Sequence, residues 1–268
     1  MSCRRWPPPR RQFKLYVAIP GSILATEPTL LLKTLKSGIV ARIMAIYRVD
    51  AVIVFRDPAT SRRDLRLLAY LLKYAVTPPH LKKKVFTLSS MLKYAGVIPP
   101  LNLVNHEPPA RLGVGDLIDG YVETCKRDRC QVYLGKAGYG YAPGGLKAGS
   151  VKTFRVSRVM EGGLELEPSS WGNVYTGYRV YIRSDLRRLV ENLRRSNFKA
   201  TATSVRGKCR DKITMDSNLL LVFGGPRLGL LEYTDESLYD EVVNTVPLQG
   251  VRTVRTEEAL HATLAKLT

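Results

Sequence analysis

Two stretches near the carboxyl end of the chain decide the fold: LLLVFGGPRLGLLEY (residues 219–233) and VVNTVPLQGVRTVRTEEALHATLAKL (residues 242–267). Each begins with an apolar run typical of a buried strand and continues into a loop that contains glycine and proline. The second loop leads into an amphipathic helix with a capped start after Arg255. Glycine permits close backbone approach, and free N–H and C=O groups can hold a small polar ligand. The sequence therefore predicts a ligand site built from loops at strand ends.

A third loop, Thr203-Ser204-Val205-Arg206-Gly207, also follows a predicted strand. With the loop at residues 224–229 and the loop at residues 244–250, it makes three loops of this kind. Any one of these loops is consistent with an ordinary turn. Three together, two of them after the most apolar strands of the chain, favour a single ligand pocket.

Toward the amino terminus the chain alternates between strands and helices. An extended run at residues 13–19 is followed by a helical pattern at 28–48, the apolar run AVIVF at 51–55, and a second helical pattern at 61–76. A continuous apolar run suits a strand that is buried on both faces of a parallel sheet. This order predicts an α/β domain.

The pattern changes between two proline pairs, near residue 99 and residue 108, which bracket a predicted linker. Short β-like segments separated by glycine then run from about residue 111 to 167 and predict a small barrel of the OB type. Helical periodicity returns at Ser184, which we predict to be the N-cap. The β-rich block is therefore predicted to be an insertion within one α/β domain.

Charge points to a polyanionic partner. The chain has 42 Lys and Arg residues against 23 Asp and Glu residues, a formal net charge of +19. Such an excess favours RNA or DNA over a small neutral substrate, and a membrane surface is the weaker alternative because no basic helix carries a bare apolar face. No apolar run is long enough to span a membrane.

The N-terminal segment MSCRRWPPPRRQ is charged but has no apolar core, so it does not resemble a secretory signal. We predict that residues 1–12 are a flexible basic arm, in which Arg4, Arg5, Arg10 and Arg11 attract RNA, and that the protein is cytoplasmic.

Common catalytic and metal motifs are absent: the chain has no GxxxxGK[ST], HExxH or GxSxG. Cys125 and Cys130 are too widely spaced for a zinc knuckle, and no second pair completes a site. We predict reduced cysteines and no metal, while a local disulfide between these two residues stays open. The scattered histidines are predicted to be structural or solvated: His80, His106 and His261.

Several segments, in order along nearly the whole chain, carry a family resemblance. They are VAIPGSIL (17–24), IVAR (39–42), YRVD (47–50), YRV (178–180), TSVRG (203–207), VFGG (222–225) with Gly229-Leu230, VNT-P-QG (243–250) and RTVRTEEA (252–259). The chain resembles the SPOUT superfamily of RNA methyltransferases. More narrowly, it is similar to the archaeal and eukaryotic branch with an OB-like insertion, the relatives of a human kinetochore-associated SPOUT-domain methyltransferase.

This resemblance implies a SPOUT-type α/β domain at residues 13–105 and 171–268, with a C-terminal trefoil knot, interrupted by an OB-like RNA-binding insertion at residues 106–170. It also implies S-adenosylmethionine as cofactor and a homodimer with the site near the subunit interface. The family is associated with N3-methylation of a ribosomal uridine, so the expected substrate is a base in rRNA or tRNA.

By the same resemblance, the three loops supply the cofactor contacts. Arg206 and Asn244 are the candidate catalytic residues, Arg206 to stabilise charge on a base or to contact phosphate and Asn244 to orient the base. The expected cofactor-binding residues are Thr203, Ser204, Arg206, Gly207, Gly224, Gly225, Gly229, Asn244, Thr245, Pro247, Gln249, Gly250 and Thr253.

Basic residues on one helix and on the barrel, together with barrel tyrosines, are the candidate RNA contacts. Cations that surround aromatic stacking platforms suit single-stranded RNA. The candidates are Arg187, Arg188, Arg194 and Arg195 on the helix and Lys126, Arg127, Arg129, Tyr139 and Tyr141 on the barrel, with Lys82, Lys83 and Lys84 adding nonspecific attraction. A non-catalytic RNA-binding or ribosome-assembly protein that retains the fold is the alternative function.

Overall fold

The computed structural model describes residues 5–109 and 111–268, which form two compact units. One unit is an α/β domain made of residues 11–76, 90–101 and 177–268. The other is a β-rich unit made of residues 5–10, 77–89 and the described part of 102–176. Cys3 and Arg4 lie outside the described residues.

Strands and helices alternate in the α/β unit, whereas strands dominate the β-rich unit. In chain order, the strands are β1 Leu15–Pro20, β2 Ala51–Phe55, β3 Leu117–Cys125, β4 Arg129–Tyr133, β5 Tyr139–Pro143, β6 Val151–Met160, β7 Gly163–Pro168, β8 Arg179–Arg183, β9 Phe198–Cys209, β10 Asn218–Val222 and β11 Glu241–Asn244. The α-helices are α1 Leu30–Ile46, α2 Arg62–Val76, α3 Lys82–Val85, α4 Leu186–Arg195 and α5 Thr256–Ala265.

The α/β unit is built on a six-stranded parallel sheet with the order β11-β9-β10-β1-β2-β8. The apolar runs form its centre: all five residues of β2 and nearly all of β1 and β10 are buried. The chain moves from β1 outward to β2 and β8, and then crosses to the other side for β9, β10 and β11. β1 and β10 therefore flank the point where the strand order reverses, the place where open α/β sheets bind ligands. The predicted α/β class is confirmed.

Local capping chemistry sets where the helices begin. Thr29 accepts a hydrogen bond from the Leu32 N–H (3.2 Å), so α1 starts at Leu30, two residues later than predicted. The predicted cap of α4 at Ser184 is wrong. Asp185 accepts from the Arg188 N–H (2.9 Å) and is the N-cap, because its carboxylate is a stronger acceptor for the first helical N–H groups.

The second unit contains a closed barrel of β3, β4, β5, β7 and β6, which confirms the predicted small β-barrel. Alternate residues point inward to its core, among them Val122, Val132, Phe154 and Leu166. β5 and β7 pair in parallel and close the barrel.

The β-rich unit extends beyond the predicted insertion at 106–170. Asp119, a buried residue of β3, accepts hydrogen bonds from Asn105 Nδ2 (2.7 Å), Thr153 Oγ1 (2.7 Å) and Trp171 Nε1 (2.9 Å). The His80 Nε2 lies 2.9 Å from the backbone oxygen of Asp119. Residues on both sides of the predicted insertion are thus tied to the barrel by polar contacts.

Cys125 and Cys130 lie directly opposite each other in the β3–β4 hairpin and form a disulfide. The prediction of reduced thiols is therefore wrong for this pair. The reason is the hairpin register, which makes the two residues cross-strand neighbours and favours the alternative left open by the sequence.

The described part of the predicted N-terminal arm is hydrogen-bonded. The Arg10 N–H donates to the Asn173 oxygen (2.8 Å), and the Tyr175 N–H donates to the Pro8 oxygen (2.9 Å). Pro9 pairs with Val174 as an antiparallel bridge. These contacts place residues 8–10 on the β-rich unit.

Among the residues that the structure describes, no helix is long and apolar enough to cross a membrane. Over the same residues, no cluster of His, Cys, Asp and Glu is arranged to hold a metal ion. The trefoil knot stays a prediction.

Candidate functional site

A cavity of about 250 Å³ lies at the carboxyl ends of β9, β10 and β11. Three segments form its walls: the residues after Ala202 in β9, the loop after β10, and the loop between β11 and α5. The lining residues are Thr203, Ser204, Val205, Phe223, Gly224, Gly225, Pro226, Arg227, Gly229, Leu230, Glu232, Val243, Asn244, Thr245, Val246, Gln249, Arg252, Thr253, Val254, Thr256 and Ala259. The three predicted loops therefore meet in one cavity.

The loop after β10 is held closely against the turn after β1. A Cβ on Gly225 would lie 2.5 Å from Ser22 Oγ and 2.9 Å from Asp57 Oδ2, so only glycine fits there without displacement. Ser22 and Asp57 are both buried, and the Ser22 hydroxyl donates to the Asp57 carboxylate (2.7 Å). Thr60 donates to the same carboxylate. This polar cluster forms a fixed base under one wall of the cavity.

The wall from β9 differs from the predicted loop, because residues 203–207 belong to the strand. Its pairing with β11 jumps from Ala202↔Val242 to Lys208↔Val243, so the intervening residues bulge out of the ladder. The Asn244 Nδ2 donates to the Val205 oxygen (3.2 Å) across this bulge. The bulge places Val205 in the cavity and leaves Arg206 outside it.

The third wall is shaped by side-chain bonds within its own loop. Asn244 Oδ1 accepts from the Val246 N–H (3.0 Å). The Gln249 amide donates to the oxygens of Val251 (2.9 Å) and Arg252 (3.1 Å). Both side chains thus fix the loop that follows β11.

Helix α5 closes this wall through its first residues. The buried Thr256 hydroxyl donates to the Gly224 oxygen (2.9 Å), which joins the second and third walls. Further along the helix, the buried hydroxyl of Thr263 is hydrogen-bonded at 2.7 Å to the buried hydroxyl of Thr245, which follows β11. The start of α5 and the loop after β10 at residues 224–229, called the glycine loop below, therefore keep a fixed relative position.

A buried lysine on α1 anchors α5 from the other side. Lys36 Nζ lies 2.8 Å from Glu27 and 3.0 Å from Glu257, and it donates to Thr26 Oγ1 (2.9 Å). The Lys36 hydrogen bond lowers the pKa of Glu27. This ion triplet joins the turn after β1, α1 and the N-terminus of α5.

Most of the predicted cofactor-binding residues line the cavity. Those that do are Thr203, Ser204, Gly224, Gly225, Gly229, Asn244, Thr245, Gln249 and Thr253. The predicted residues outside the lining are Arg206, Gly207, Pro247 and Gly250. Gly207 has a packing role instead, since a Cβ there would lie 2.5 Å from the Val243 backbone.

Of the two candidate catalytic residues, Asn244 lines the cavity but uses its side chain to hold the loop and the bulge. Arg206 is exposed, and its N–H donates to Ser204 Oγ (3.2 Å).

Sequence reasoning missed the charged groups of the cavity, which are Arg227, Arg252 and Glu232. Glu232 Oε1 accepts from the Gly229 N–H (3.0 Å) at the start of a short 3₁₀ turn. The spacing Gly-x-x-Glu is a capping signature, and it was the available signal for this carboxylate.

The candidate RNA contacts on α4 are partly neutralised. Arg187 pairs with Asp235 (2.7 Å) and Arg194 with Asp240 (2.6 Å), whereas Arg188 and Arg195 are exposed. The predicted free basic stripe of the helix is therefore halved by acidic residues that follow β10.

On the barrel, the cross-strand register places Tyr121, Tyr133 and Tyr139 side by side on β3, β4 and β5. The Arg129 guanidinium lies 3.8 Å from the ring centre of Tyr141. Lys126 and Arg127 are exposed in the adjoining β3–β4 turn. The barrel therefore carries cations beside aromatic rings, as the sequence predicts.

The lysine run 82–84 is less available than predicted. Lys84 pairs with Glu123 and lies 5.1 Å from the ring centre of Tyr133. Burial lowers the pKa of Lys82, and Lys83 is the exposed member of the run.

Comparison with known proteins assigns the chain to a protein family. Residues 14–132 and 163–267 match a family model described as "Putative RNA methyltransferase". The chain belongs to this family of RNA methyltransferases. The match covers both the α/β unit and much of the barrel, and it confirms the RNA methyltransferase family that the resemblance in the sequence implies.

Individual relatives agree with the family match. An uncharacterized protein of Halobacterium salinarum is 32% identical over 279 residues, which cover 94% of this chain and 98% of that protein. The human protein named 28S rRNA (uridine-N(3))-methyltransferase is 28% identical over 310 residues, 96% of this chain and 78% of that protein. The crystal structure of the SpoU methyltransferase AviRb from Streptomyces viridochromogenes aligns at 12% identity with a TM-score of 0.42, over 96% of this chain and 58% of that one, a similarity too low to bear on the site.

The close fit of Gly225 predicts a position-specific effect on stability. Gly225→Ala should lower the free energy of unfolding of the α/β unit by about 1–3 kcal/mol, because the added methyl overlaps Ser22 and Asp57. Gly96→Ala is the matched control, since no atom lies within 4 Å of its Cβ position. Denaturant unfolding followed by circular dichroism measures both. Equal stabilities for the two variants would contradict this close packing of Gly225.

Proposed function

We propose that this methyltransferase transfers the methyl group of S-adenosylmethionine to N3 of a uridine in large-subunit ribosomal RNA. The observation that carries the proposal is the cavity at the ends of β9, β10 and β11, in a chain that belongs to an RNA methyltransferase family. The name of the human relative, 28S rRNA (uridine-N(3))-methyltransferase, supports the choice of base and atom.

The lining residues fit an adenosyl cofactor. Val246 and Val254 supply apolar surface for a flat ring, and the backbone groups of the glycine loop line the same cavity and can recognise its polar edge. Arg227 and Arg252 suit the carboxylate of the amino-acid part. The glycine loop after β10 has no side chains at three of its lining positions, so the backbone itself is the wall that a ligand meets there.

When bound, the cofactor supplies an electrophilic methyl group on a sulfonium. The chain contributes position: holding a base and a cofactor in one cavity can lower a barrier by roughly 7–11 kcal/mol. The bonds of Asn244 to the β9 bulge, and of Thr256 to Gly224, keep the cavity walls in register for this purpose.

Product analysis tests the proposed activity. Incubation with S-adenosylmethionine and an unmodified large-subunit rRNA transcript should yield N3-methyluridine, detected by mass spectrometry of the nucleosides. Gly224→Trp should abolish cofactor binding in calorimetry, because a Cβ there would already lie 2.8 Å from the Leu230 nitrogen and would displace this wall of the cavity, whereas Gly96→Trp, at an exposed position with open space, should bind normally. Failure of the wild-type protein to bind S-adenosylmethionine at millimolar concentration would instead favour a non-catalytic RNA-binding protein.

We propose that the barrel and the exposed arginines of α4 hold the RNA. The tyrosines on β3, β4 and β5 form a stacking surface, on which Tyr133 and Tyr139 meet edge to face at 5.6 Å. Arg129, Lys126 and Arg127 add positive charge beside it, and Arg188 and Arg195 add charge on α4. Rings for stacking and cations for phosphate are the combination that single-stranded RNA requires.

Substitution at Tyr139 tests this surface. Tyr139→Ala should weaken binding of an oligouridine by roughly 1–3 kcal/mol, while Tyr139→Phe should bind nearly as well, because stacking depends on the ring and not on the hydroxyl. Fluorescence anisotropy measures both, and raising the salt should weaken both through loss of the phosphate contacts. If the alanine variant binds as well as the phenylalanine variant, the ring does not stack on RNA.

We propose that the enzyme is a homodimer that pairs through α1. One stripe of this helix is apolar yet exposed: Leu31, Leu35, Ile39 and Ile46 each expose between 40 and 55% of their surface. The family resemblance implies a homodimer, and a second copy of the chain is the occupant that this helical face fits. An apolar stripe of this length is unusual on a monomer.

Light scattering tests the dimer. The wild-type protein should have twice the mass of the chain, and the double variant Leu35→Glu/Ile39→Glu should be a folded monomer, because two carboxylates cannot be buried in an apolar interface. Val159→Glu, at an exposed apolar position of the barrel, is the control and should remain dimeric. A monomeric wild-type protein would overturn the proposal.

A further inference from the structure

Methylation of a base nitrogen that carries a hydrogen needs a group to take that proton, and the cavity contains one such group. Glu232 is the only carboxylate among the cavity-lining residues, all of which lie in the described part of the chain. The other polar lining residues are alcohols, amides and two arginines. Arginine stays protonated and has no acceptor, and alcohols and amides are poor bases, so Glu232 is the lining residue whose side chain can accept a proton.

The fold holds this carboxylate in place. Glu232 ends the 3₁₀ turn Leu230–Glu232, and its Oε1 accepts from the Gly229 N–H at 3.0 Å. Leu230, which starts the turn, is buried in the core of the sheet unit. This hydrogen bond restrains the carboxylate through Oε1.

The surrounding charges favour this role. Arg227 and Arg252 line the same cavity, where their positive charges would stabilise negative charge on a deprotonated base. The next residue, Tyr233, is not an alternative base, because burial and the charge of Asp57 raise its phenol pKa. Asp235 and Glu236 follow on the next turn, where Asp235 is paired with Arg187.

We infer that Glu232 is the general base of the methyl transfer. The inference rests on the proposed function and adds the residue that removes the proton. The N3–H bond of the uridine breaks and its proton passes to the Glu232 carboxylate. The N3 electron pair forms the new N–C bond to the methyl carbon as the bond from that carbon to sulfur breaks, and the electrons of that bond remain on sulfur as a neutral thioether.

Glu232→Gln separates the base from its structural role. Glutamine retains an oxygen to accept from the Gly229 N–H, so the turn keeps its cap, but it cannot take a proton. Glu258→Gln is the matched control: Glu258 Oε2 caps α5 by accepting from the Arg255 N–H at 2.9 Å, and it does not line the cavity.

Single-turnover kinetics with the rRNA transcript should show Glu232→Gln slower by about 10²-fold or more at neutral pH, and Glu258→Gln unchanged. The rate of Glu232→Gln should rise by about tenfold per pH unit, because only the fraction of uridine already ionised at N3 reacts, while the wild-type rate should vary less steeply. A transcript with 5-fluorouridine, whose N3 proton is more acidic, should increase the single-turnover rate of Glu232→Gln by a larger factor than the rate of the wild type.

Binding measurements test the competing role, in which Glu232 pairs with the positive charge of the cofactor. Calorimetry with S-adenosylmethionine and with the neutral-sulfur product S-adenosylhomocysteine should give Glu232→Gln affinities within about twofold of wild type for both. Selective loss of S-adenosylmethionine affinity would overturn the inference, as would an unchanged pH profile. If the wild-type protein forms N3-methyluridine and Glu232→Gln does so equally fast, only the assignment of Glu232 fails. If the wild-type protein forms none, the proposed function fails and this inference fails with it.

Discussion

The cavity at the carboxyl ends of β9, β10 and β11 depends on the parallel pairing of β1 with β10. These strands come from opposite ends of the chain, with Leu15 opposite Leu219 and Ala18 opposite Val222. Their distance in sequence makes the pairing expensive in loop-closure entropy, and burial of both strands offsets that cost. The pairing brings the turn after β1 beneath the loop after β10, so that Gly225 meets Ser22 and Asp57. The cavity can therefore form only when most of the α/β unit is folded.

Ionic and polar ties then fix the remaining wall. In the ion triplet, Lys36 is buried and Glu27 and Glu257 are partly buried, and a triplet of this kind is not a strong source of net stability, because its charges lose much of their hydration. The triplet instead determines the position of α5. A displaced α5 would strand charges in the interior, so the triplet specifies where the helix begins. The hydroxyl of Thr256 transmits that position to Gly224.

Features that are set by the local sequence pattern could be predicted from the sequence, whereas features that are set by contacts between residues distant in the chain could not. Apolar runs and glycine loops identified the parallel strands and most of the cavity lining. The bulge in β9 is set by its pairing with β11, so nothing local showed that Arg206 would lie outside the cavity. The ion pairs of Arg187 and Arg194 join residues more than forty positions apart in the chain and were invisible for the same reason. Glu232 had a local signal, its spacing from Gly229, but a capping spacing does not show which cavity the carboxylate faces.

The charges of the cavity distinguish a catalyst from a protein that only binds RNA. The net charge of +19 attracts RNA without regard to sequence, and arginines alone would serve that purpose best. A carboxylate at the cavity opposes a polyanion and costs binding free energy. Glu232 is nevertheless held there, in the same cavity as Arg227 and Arg252 and in a turn capped by its own side chain. A group that weakens RNA binding but can accept a proton has a use where a base loses one, so the cavity is better suited to chemistry on the base than to binding alone.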